Sequence, residues 1–284
     1  MTPSAQPFLV GLIGAGIQAS LTPAMHECEG VEHRLDYNYR LFDLDELGLG
    51  TDALPNLLKQ AEQEGFAGLN ITHPCKQAVL AHLDELSDDA RAIGAVNTVV
   101  LHDGKRFGHN TDWYGFAESF RRGLPGAALR EVVQLGAGGA GAATAHAALK
   151  LGADRVALFD IDFNRARSLA AGLNARFGEG RAIAVSELEA VMRNADGLIH
   201  ATPTGMEKYP GLPLPADLLH PGMWVAEIVY FPLETELLRT ARGLGCRTLD
   251  GSGMAVFQAA EAFTLFTGIT PNAERMRRHF VSMT

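Results

Sequence analysis

The stretch Val132–Gly141, VVQLGAGGAG, places a short β-branched run directly before four glycines within six residues. An alanine-rich segment of helical character, Ala142–Leu151, follows at once. The order strand, glycine turn, helix lets the backbone approach a pyrophosphate closely and directs the free N–H groups of the helix at it. The stretch therefore predicts a dinucleotide-binding turn. The alternative is a tight turn that holds no ligand.

The next predicted strand favours the ligand. Residues 155–160 read RVALFD, and Asp160 lies about 20 residues beyond the turn, where a carboxylate that binds the adenosine ribose is expected. Strand, turn, helix and acid thus occur in the order that dinucleotide binding requires.

A second glycine motif, Gly14–Ala19, follows an apolar run and has Asp36 at a similar distance. Here the segment Ser20–Pro23 separates the motif from the next helix, and Asp36 lies within an alternating strand pattern. We therefore interpret Gly14–Ala19 as a tight turn and place the nucleotide at Gly136–Gly141.

Composition excludes several classes of protein. Hydrophobic residues make up 47% of the 284 residues and charged residues 20%, which predicts a packed core. The net charge is −9 and no basic run stands out, so a nucleic-acid surface is not expected, and any anion must be bound by local groups. No apolar stretch is long enough to span a bilayer, so no membrane partner is expected. Three cysteines without metal-like spacing indicate no metal site, reduced thiols and a cytoplasmic location.

From residue 131 onward the chain alternates regularly between strand and helix. Strands are predicted at 131–135, 155–160, 181–185, 197–202 and 223–230. Helices are predicted at about 140–151, 164–177, 186–194 and 234–244. This alternation predicts a parallel sheet with right-handed crossovers.

The first part of the chain is also expected to mix strands and helices. One helix is predicted to start with Thr22 as N-cap and Pro23 as its first residue, and to stop at Gly30. Asp103-Gly104 predicts a hairpin.

We therefore predict an α/β protein of two domains. They are a substrate-binding domain over residues 1–112 and a Rossmann-type dinucleotide-binding domain over 113–247. C-terminal helices over 248–284 are expected to pack back on the first domain. The active site is then expected in the cleft between the domains.

Polar side chains gather where predicted strands end. Strand 66–71 leads into Thr72-His73-Pro74-Cys75-Lys76, and a second cluster ends at Asp112. The carboxyl ends of strands are where α/β proteins bind ligands. A nicotinamide enzyme that oxidises an alcohol needs a group to take the hydroxyl proton, and Lys76, Asp112 and His73 are candidates. A solvated lysine is the common alternative for Lys76.

Four further residues need partners or ligands. Ser20 and Thr22 place two hydroxyls at a helix start, which suits a carboxylate, although simple capping is the alternative. Asn97 lies in an apolar strand and Gln258 in a helix that is apolar nearly all round. If buried, their amides require hydrogen bonds from the protein or from a ligand.

Taken together, these motifs resemble the shikimate/quinate dehydrogenase family over nearly the whole chain. Each is weak alone, but the ordered set is specific. The matching segments are Ser20-x-Thr22-Pro23, Asn70-Ile-Thr-His-Pro-x-Lys76, Gly94-Ala-Val-Asn97-Thr, Asn110-Thr-Asp112, Gly136-x-Gly138-Gly139-x-Gly141, Ala201-Thr-Pro-x-Gly205-Met206, Val229-Tyr230-x-Pro232 and Gly253-Met254 with Gln258.

The resemblance implies reversible, nicotinamide-dependent oxidation of a ring polyol acid, quinate or shikimate, to its 3-keto form. It implies that Lys76 moves the hydroxyl proton and that Asp112 pairs with Lys76, while His73 is not itself catalytic. The implied substrate contacts are Ser20 and Thr22 for the carboxylate, Thr72, Asn97 and Gln258 for the ring hydroxyls, and Tyr230. The implied cofactor contacts are Gly136, Ala137, Gly138, Gly139, Ala140, Asp160, Arg165, Thr202, Val229, Gly253 and Met254.

Two departures from the family pattern bear on specificity. Thr22 stands where many relatives have a second serine, and this version resembles members that also accept quinate. Asp160-Ile161-Asp162 stands where NADP-using members have Asn-Arg-Thr. A carboxylate accepts hydrogen bonds from both ribose hydroxyls and repels a 2′-phosphate. We therefore predict NAD as the cofactor, with Arg165 as the one residue that could weaken this preference.

Other functions are compatible with parts of this pattern. Within the class, the chain could oxidise shikimate only or an aminoshikimate. Outside it, the chain could be a ligand-sensing homologue without turnover, which the presence of Lys76 and Asp112 disfavours, or a related folate-type dehydrogenase. The sequence is compatible with a monomer or a homodimer.

Overall fold

The computed structural model describes residues 7–284. The strands are β1 Phe8–Gly14, β2 Tyr37–Asp43, β3 Gly68–Ile71, β4 Glu85–Leu86, β5 Thr98–His102, β6 Lys105–His109, β7 Glu131–Leu135, β8 Arg155–Phe159, β9 Ala182–Ala184, β10 Gly197–His200, β11 Trp224–Glu227 and β12 Arg247–Leu249. The helices are α1 Thr22–Glu32, α2 Leu44–Leu47, α3 Leu54–Gln63, α4 Cys75–Ala78, α5 Asp88–Ile93, α6 Asp112–Gly123, α7 Gly139–Lys150, α8 Phe163–Phe177, α9 Glu189–Met192, α10 Glu236–Gly243, α11 Ser252–Thr267 and α12 Ala273–Met283. Short 3₁₀ turns lie at Thr51–Ala53, Val79–His82 and Ala216–Leu218.

The described chain forms two units. Unit 1 holds the described residues up to Thr111 together with Gln258–Met283, and unit 2 is Asp112–Phe257. The chain therefore re-enters unit 1 at Gln258, whereas the sequence predicted that it would do so at residue 248. The physical reason is that β12 pairs with β11, and Leu249 and Met254 pack against the core of unit 2.

Unit 2 contains a six-stranded parallel sheet in the order β12-β11-β10-β7-β8-β9. Read from the other edge, this is the strand order 3-2-1-4-5-6 of dinucleotide-binding sheets, and it confirms the predicted fold class. Successive side chains alternate between the two faces, so Val132 and Ile199 pack in one core cluster while Val133 and Leu198 pack in another. Helices cover both faces of the sheet, and its strands β10 and β11 are buried along their whole length.

Unit 1 contains a mixed sheet in the order β2-β1-β3-β5-β6-β4. β1 lies parallel to β2 and β3, whereas β5 runs antiparallel to both of its neighbours, β3 and β6. The β5–β6 hairpin turns through Asp103 and Gly104, both at positive φ, as predicted. The aromatic residues Tyr37, Phe263 and Phe266 form part of the core on one face of this sheet.

Three local predictions were wrong. Thr22 is the first residue of α1 and not its N-cap, and the N-cap Leu21 makes no side-chain capping bond. Gly30 does not end α1, because its role is close packing: a Cβ there would lie 2.4 Å from Cβ of Tyr37. The helix predicted at 186–194 shortens to Glu189–Met192.

α12 is fastened to α1 by a buried ion pair. Glu29 is 1% exposed and accepts hydrogen bonds from Arg275 Nε at 2.8 Å and Nη2 at 2.6 Å, and from the Asn272 N–H at 2.7 Å. Burial by itself raises the pKa of Glu29, but the hydrogen bonds from Arg275, Asn272 and His33 lower it by more than burial raises it. The net result is a pKa below the ordinary value of 4.5. This carboxylate therefore stabilises the fold in its charged form.

Substituting Arg275→Ala is expected to reduce the stability of unit 1 by about 2–4 kcal/mol at pH 7, because it leaves a buried carboxylate without its cation. A depressed folded pKa contributes stability above the unfolded value, and this contribution is lost as the pH falls through the folded value. The difference in unfolding midpoint between wild type and variant should thus narrow below about pH 4.5. Arg277→Ala is the matched control, since Arg277 pairs with Glu274 at the surface and should contribute under about 1 kcal/mol.

Candidate active site

The glycine turn between β7 and α7 has three glycines with separate duties. Gly136 has a φ of +97°, and a Cβ there would lie 2.4 Å from the Ala201 carbonyl oxygen. A Cβ on Gly141 would lie 2.3 Å from the carbonyl oxygen of Gly136, so this glycine lets α7 pack tightly on the turn. Gly138 instead faces open space, and a methyl group added there would have nothing within 4 Å. Gly136 and Gly141 are therefore required by contacts within the protein, whereas Gly138 leaves room for a ligand.

A buried glutamine holds this turn in shape. Gln134 is fully buried in β7 and donates from Nε2 to the carbonyl oxygens of Gly136 and Gly141, both at 2.8 Å. Its Oε1 accepts a hydrogen bond from the Thr144 hydroxyl at 2.9 Å. The loop is therefore fixed before any cofactor arrives.

The same turn is held from its other side by Asp160, directly after β8. Asp160 Oδ2 accepts the Ala137 N–H at 2.8 Å, and its Oδ1 accepts the Asp162 N–H at 2.9 Å. Asp162 caps α8 by accepting the Asn164 N–H, and Arg165 lies 3.5 Å from Asp162. The predicted carboxylate therefore stands beside the glycine turn, and Arg165 is an exposed helix residue paired with an acid.

The residues around the turn fit a nicotinamide dinucleotide. α7 has no side-chain cap at its N-cap Gly138, so the amide groups of its first turn and the helix dipole can serve a pyrophosphate. Thr202 and Val229 follow β10 and β11 at the same edge of the sheet. Gly253 is the second residue of α11, and a Cβ there would lie 2.1 Å from Ser119 Oγ. Such close packing explains that glycine without a cofactor.

The N-terminal glycine motif is a turn, as predicted, and its amide groups are already used. Asp43, at the end of β2, accepts the Gly16 N–H at 2.9 Å, the Ile17 N–H at 3.0 Å and Gln18 Nε2 at 3.0 Å. A pyrophosphate at this turn would have to displace a carboxylate that accepts three hydrogen bonds from the turn and a fourth from the Asp45 N–H. This arrangement supports placing the nucleotide at Gly136–Gly141.

Unit 1 carries the predicted proton-transfer and carboxylate-binding residues. Lys76 is half-buried in α4, after the turn that starts at Thr72 at the end of β3. Ser20 and Thr22 are half-buried at the start of α1, where Ser20 Oγ accepts the Thr22 N–H over 3.4 Å. That bond is long, and α1 has no other side-chain cap, so its N-terminus is suited to an anion. His73 is exposed.

Asn97 belongs to a buried hydrogen-bond network in unit 1. Its Oδ1 accepts the Thr111 N–H at 2.7 Å and the Thr98 hydroxyl at 3.1 Å, while its Nδ2 donates to Thr111 Oγ1 at 2.9 Å. The network continues through Asn70 to the Tyr39 hydroxyl. Oδ1 of Asn97 therefore already accepts two hydrogen bonds within the protein.

The negative charge of Asp112 acts on Tyr230 within unit 2. Asp112 is buried at the start of α6, and Tyr230 is 43% exposed in the loop after β11. Desolvation of the phenol, followed by the negative charge of Asp112, raises the pKa of Tyr230 above its ordinary value. Tyr230 therefore remains a neutral hydrogen-bonding group near Asp112. Gln258 lies half-buried on α11 in unit 1.

Sequence reasoning missed several polar residues that shape the site. Gln134, Asp43, His200 and Glu227 were not singled out, although each lies in or at the end of a mainly apolar strand. A buried polar group in such a strand needs a partner, and that signal could have marked them. Within residues 7–284, no three His, Cys, Asp or Glu side chains group as metal ligands would. No helix in this described part is long and apolar enough to cross a bilayer.

Comparison with known proteins identifies the family. Residues 12–99 match the model for the shikimate dehydrogenase substrate binding domain, and residues 251–279 match the shikimate 5'-dehydrogenase C-terminal domain. Residues 119–214 match the alanine dehydrogenase/PNT C-terminal domain.

Curated relatives match nearly the whole chain. A shikimate dehydrogenase (NADP(+)) of Streptomyces avermitilis is 62% identical over 95% of this chain and 93% of its own length. A quinate/shikimate dehydrogenase (NAD(+)) of Corynebacterium efficiens is 48% identical over 97% and 98%. The solved quinate dehydrogenase from Corynebacterium glutamicum in complex with NAD superposes with a TM-score of 0.92, at 46% identity over 97% of this chain and 99% of that one. The chain therefore belongs to the shikimate/quinate dehydrogenase family of oxidoreductases.

Proposed function

We propose that this protein is an NAD-dependent dehydrogenase that reversibly oxidises the 3-hydroxyl of quinate, shikimate or both. The products are 3-dehydroquinate and 3-dehydroshikimate. The observation that carries the choice of NAD is the position of Asp160, whose carboxylate is hydrogen-bonded to the glycine turn and is followed by a second acid, Asp162. No basic residue lies between Asp160 and Asn164.

Proton transfer is assigned to Lys76. Oxidation of a secondary alcohol removes a hydride from carbon and a proton from oxygen, and the bound nicotinamide dinucleotide supplies the hydride acceptor. The amine form of Lys76 takes the proton from the hydroxyl oxygen, and the ammonium form returns it in the reverse reaction. Asp112 is assigned to orient the hydroxyl and to balance the charge that Lys76 gains.

Substrate binding is assigned to groups suited to a polyol acid. The uncapped start of α1, with the hydroxyls of Ser20 and Thr22, suits the substrate carboxylate. Thr72, Gln258 and the Nδ2 group of Asn97 suit the ring hydroxyls, and neutral Tyr230 adds a further hydroxyl. The extra ring hydroxyl of quinate is the feature that separates the two substrates, and Thr22 in place of serine favours accepting it.

The choice between NAD and NADP is an electrostatic one. A 2′-phosphate beside Asp160 and Asp162 would place like charges in contact, which costs several kcal/mol at an effective dielectric near 20. The ribose hydroxyls of NAD can instead donate to the carboxylate. Some relatives of this chain are named for NADP and others for NAD. The argument for NAD therefore rests on residues 160–162 and not on overall sequence identity.

The glycine turn gives a direct test of cofactor placement. Gly138→Ala should leave thermal stability unchanged, because φ is −78° and the added methyl group meets nothing within 4 Å. It should raise the Kd for NAD at least about tenfold, because the methyl group would stand where the pyrophosphate approaches. Gly172→Ala, an equally open position in α8, should leave the Kd unchanged. Equal Kd values for the two variants would contradict the placement.

Steady-state rates decide the function. kcat/KM should be measured for quinate, shikimate and aminoshikimate, each with NAD and with NADP. We expect turnover of quinate or shikimate, faster with NAD. Turnover of shikimate alone would identify the narrower enzyme, whereas binding of these acids without turnover would identify a ligand sensor and reject the proposal.

A further inference from the structure

A fully buried histidine–glutamate pair lies beneath two loops that are assigned to cofactor binding. His200 ends β10 and Glu227 ends β11, and the two residues are register partners in the parallel sheet. Their exposed fractions are 0% and 2%. Thr202 follows the first of these residues and Val229 the second, so each loop begins at one member of the pair.

Each member of the pair is bonded to one loop. His200 Nδ1 lies 2.9 Å from both carboxylate oxygens of Glu227, and Glu227 Oε1 also accepts the Val229 N–H at 2.9 Å. His200 Nε2 is bonded to the Thr202 hydroxyl. The remaining oxygen of Glu227 accepts the Thr235 hydroxyl at 3.2 Å. The pair therefore ties both loops to the ends of the strands.

This arrangement fixes the direction of the Thr202 hydroxyl. A carboxylate only accepts hydrogen bonds, so Glu227 selects the tautomer of His200 that carries its proton on Nδ1. His200 Nε2 then accepts, and Thr202 donates its hydroxyl proton to it. The Thr202 oxygen already accepts the Thr204 N–H at 3.3 Å, and toward a ligand it can act only as an acceptor.

The two loops also share a surface pocket. Gly205 and Met206 line it from the loop after β10, and Phe231 and Pro232 line it from the loop after β11. Burying a carboxylate against an imidazole is a poor way to stabilise a fold by packing alone, since apolar residues do this as well or better. Such a pair is understandable where loop positions must be exact for a ligand.

β10 and β11 lie on the opposite side of β7 from β8, whose Asp160 is assigned to the adenosine ribose. We therefore propose that the His200–Glu227 pair positions the loops that bind the nicotinamide half of the cofactor, and that it sets Thr202 as an acceptor for a donor group there. The donor would be a ribose hydroxyl or the carboxamide NH₂ group. This inference rests on the proposed function, because Thr202 and Val229 are assigned to the cofactor there.

Two substitutions of His200 distinguish the hydrogen bond that its ring makes to Glu227 from the one that it makes to Thr202. His200→Asn places an amide where Nδ1 lies and keeps the bond to Glu227, but it is too short to reach Thr202. His200→Gln places its amide where Nε2 lies and keeps the bond to Thr202. The Kd for NAD and NADP, measured without substrate by protein fluorescence or calorimetry, should rise about tenfold in His200→Asn and by clearly less in His200→Gln, which loses the bond to Glu227 but keeps Thr202 in place.

Thr202 completes the test. Thr202→Val should raise the Kd for the dinucleotide about tenfold, whereas Thr202→Ser, which keeps the hydroxyl, should have the wild-type Kd. The double variant His200→Asn/Thr202→Val should have a Kd no higher than the higher of the two single-variant values. His220→Asn and Thr248→Val make the same chemical changes elsewhere in unit 2 and should leave the Kd unchanged. If His200→Asn does not fold, Thr202→Val and Thr202→Ser in the His200→Gln background carry the test.

Additive effects, or a Kd that follows the loss of thermal stability across all variants, would overturn the positioning role. These outcomes are distinct from failure of the proposed function. Both dinucleotides share the nicotinamide half, so a preference for NADP would reject the NAD proposal and leave this test intact. Absence of binding of either dinucleotide to the wild-type protein would reject both.

Discussion

Replacing Lys76 with methionine is expected to lower kcat for oxidation of quinate or shikimate by about 10²–10⁴-fold, the usual contribution of a positioned general acid–base group. The methionine side chain is unbranched and only one atom shorter than lysine, and it removes the group that takes the hydroxyl proton. The Kd for NAD should stay within about twofold of wild type, because the residues assigned to the cofactor are in unit 2 and Lys76 is in unit 1. Rapid-quench or steady-state kinetics with direct measurement of NAD binding would test both expectations.

Lys59→Met is the matched control for this change. Lys59 is an exposed lysine of α3 in the same unit, so its loss should leave kcat unchanged. The loss in Lys76→Met should also be smaller at high pH, where hydroxide can take the proton directly. A Lys76→Met enzyme as active as the parent would refute the proton-transfer assignment, whereas a large rise in the Kd for NAD would indicate damage beyond the proton-transfer step.

The sequence predicted the parts of the fold that depend on local pattern. The alternating apolar segments of unit 2 gave the strands of a parallel sheet, and Asp103-Gly104 gave the β5–β6 hairpin because both residues must adopt positive φ. Strand β12 was missed, since three residues are too few to show a period. The second domain boundary was consequently placed too early.

Glycine and threonine were harder to interpret, because each serves several purposes. Gly30 matched a helix stop, yet its lack of a side chain is required by contact with Tyr37, which lies in the next strand. Thr22 matched an N-cap, yet it begins the helix itself. The local sequence does not contain the tertiary neighbour that decides between such roles.

The same limit applies to the site. Asp160 was expected from its distance to the glycine turn, but its bond to the Ala137 N–H depends on β7 and β8 lying side by side. The His200–Glu227 pair depends likewise on the register of β10 and β11, which single-strand patterns do not specify. Motifs therefore indicated which residues are candidates for binding a ligand, and the sheet register determines what holds those residues.

The cofactor prediction can be tested by converting residues 160–162 to the Asn-Arg-Thr pattern of NADP-using relatives. In the wild-type protein we expect kcat/KM to favour NAD by about 10²-fold, less than the unscreened contact energy implies because Asp162 is exposed. Asp160→Asn keeps an oxygen for the Ala137 N–H and removes one charge, so it should reduce the preference about tenfold. Asp160→Asn/Ile161→Arg/Asp162→Thr should reverse it, and its threonine can still cap α8.

Asp154→Asn is the control, because Asp154 is an exposed acid just before β8, at the opposite end of the strand from Asp160. It makes the same change in net charge as Asp160→Asn. If both variants changed the preference for NAD equally, the cause would be the net charge of the protein and not a contact with the cofactor. A wild-type enzyme faster with NADP would reject the NAD assignment and implicate Arg165, the nearest base, as the phosphate partner. Arg165→Ala would then abolish NADP use, whereas under the NAD proposal it should change kcat/KM for NAD less than about twofold, because Arg165 pairs only with the exposed Asp162 in the described structure.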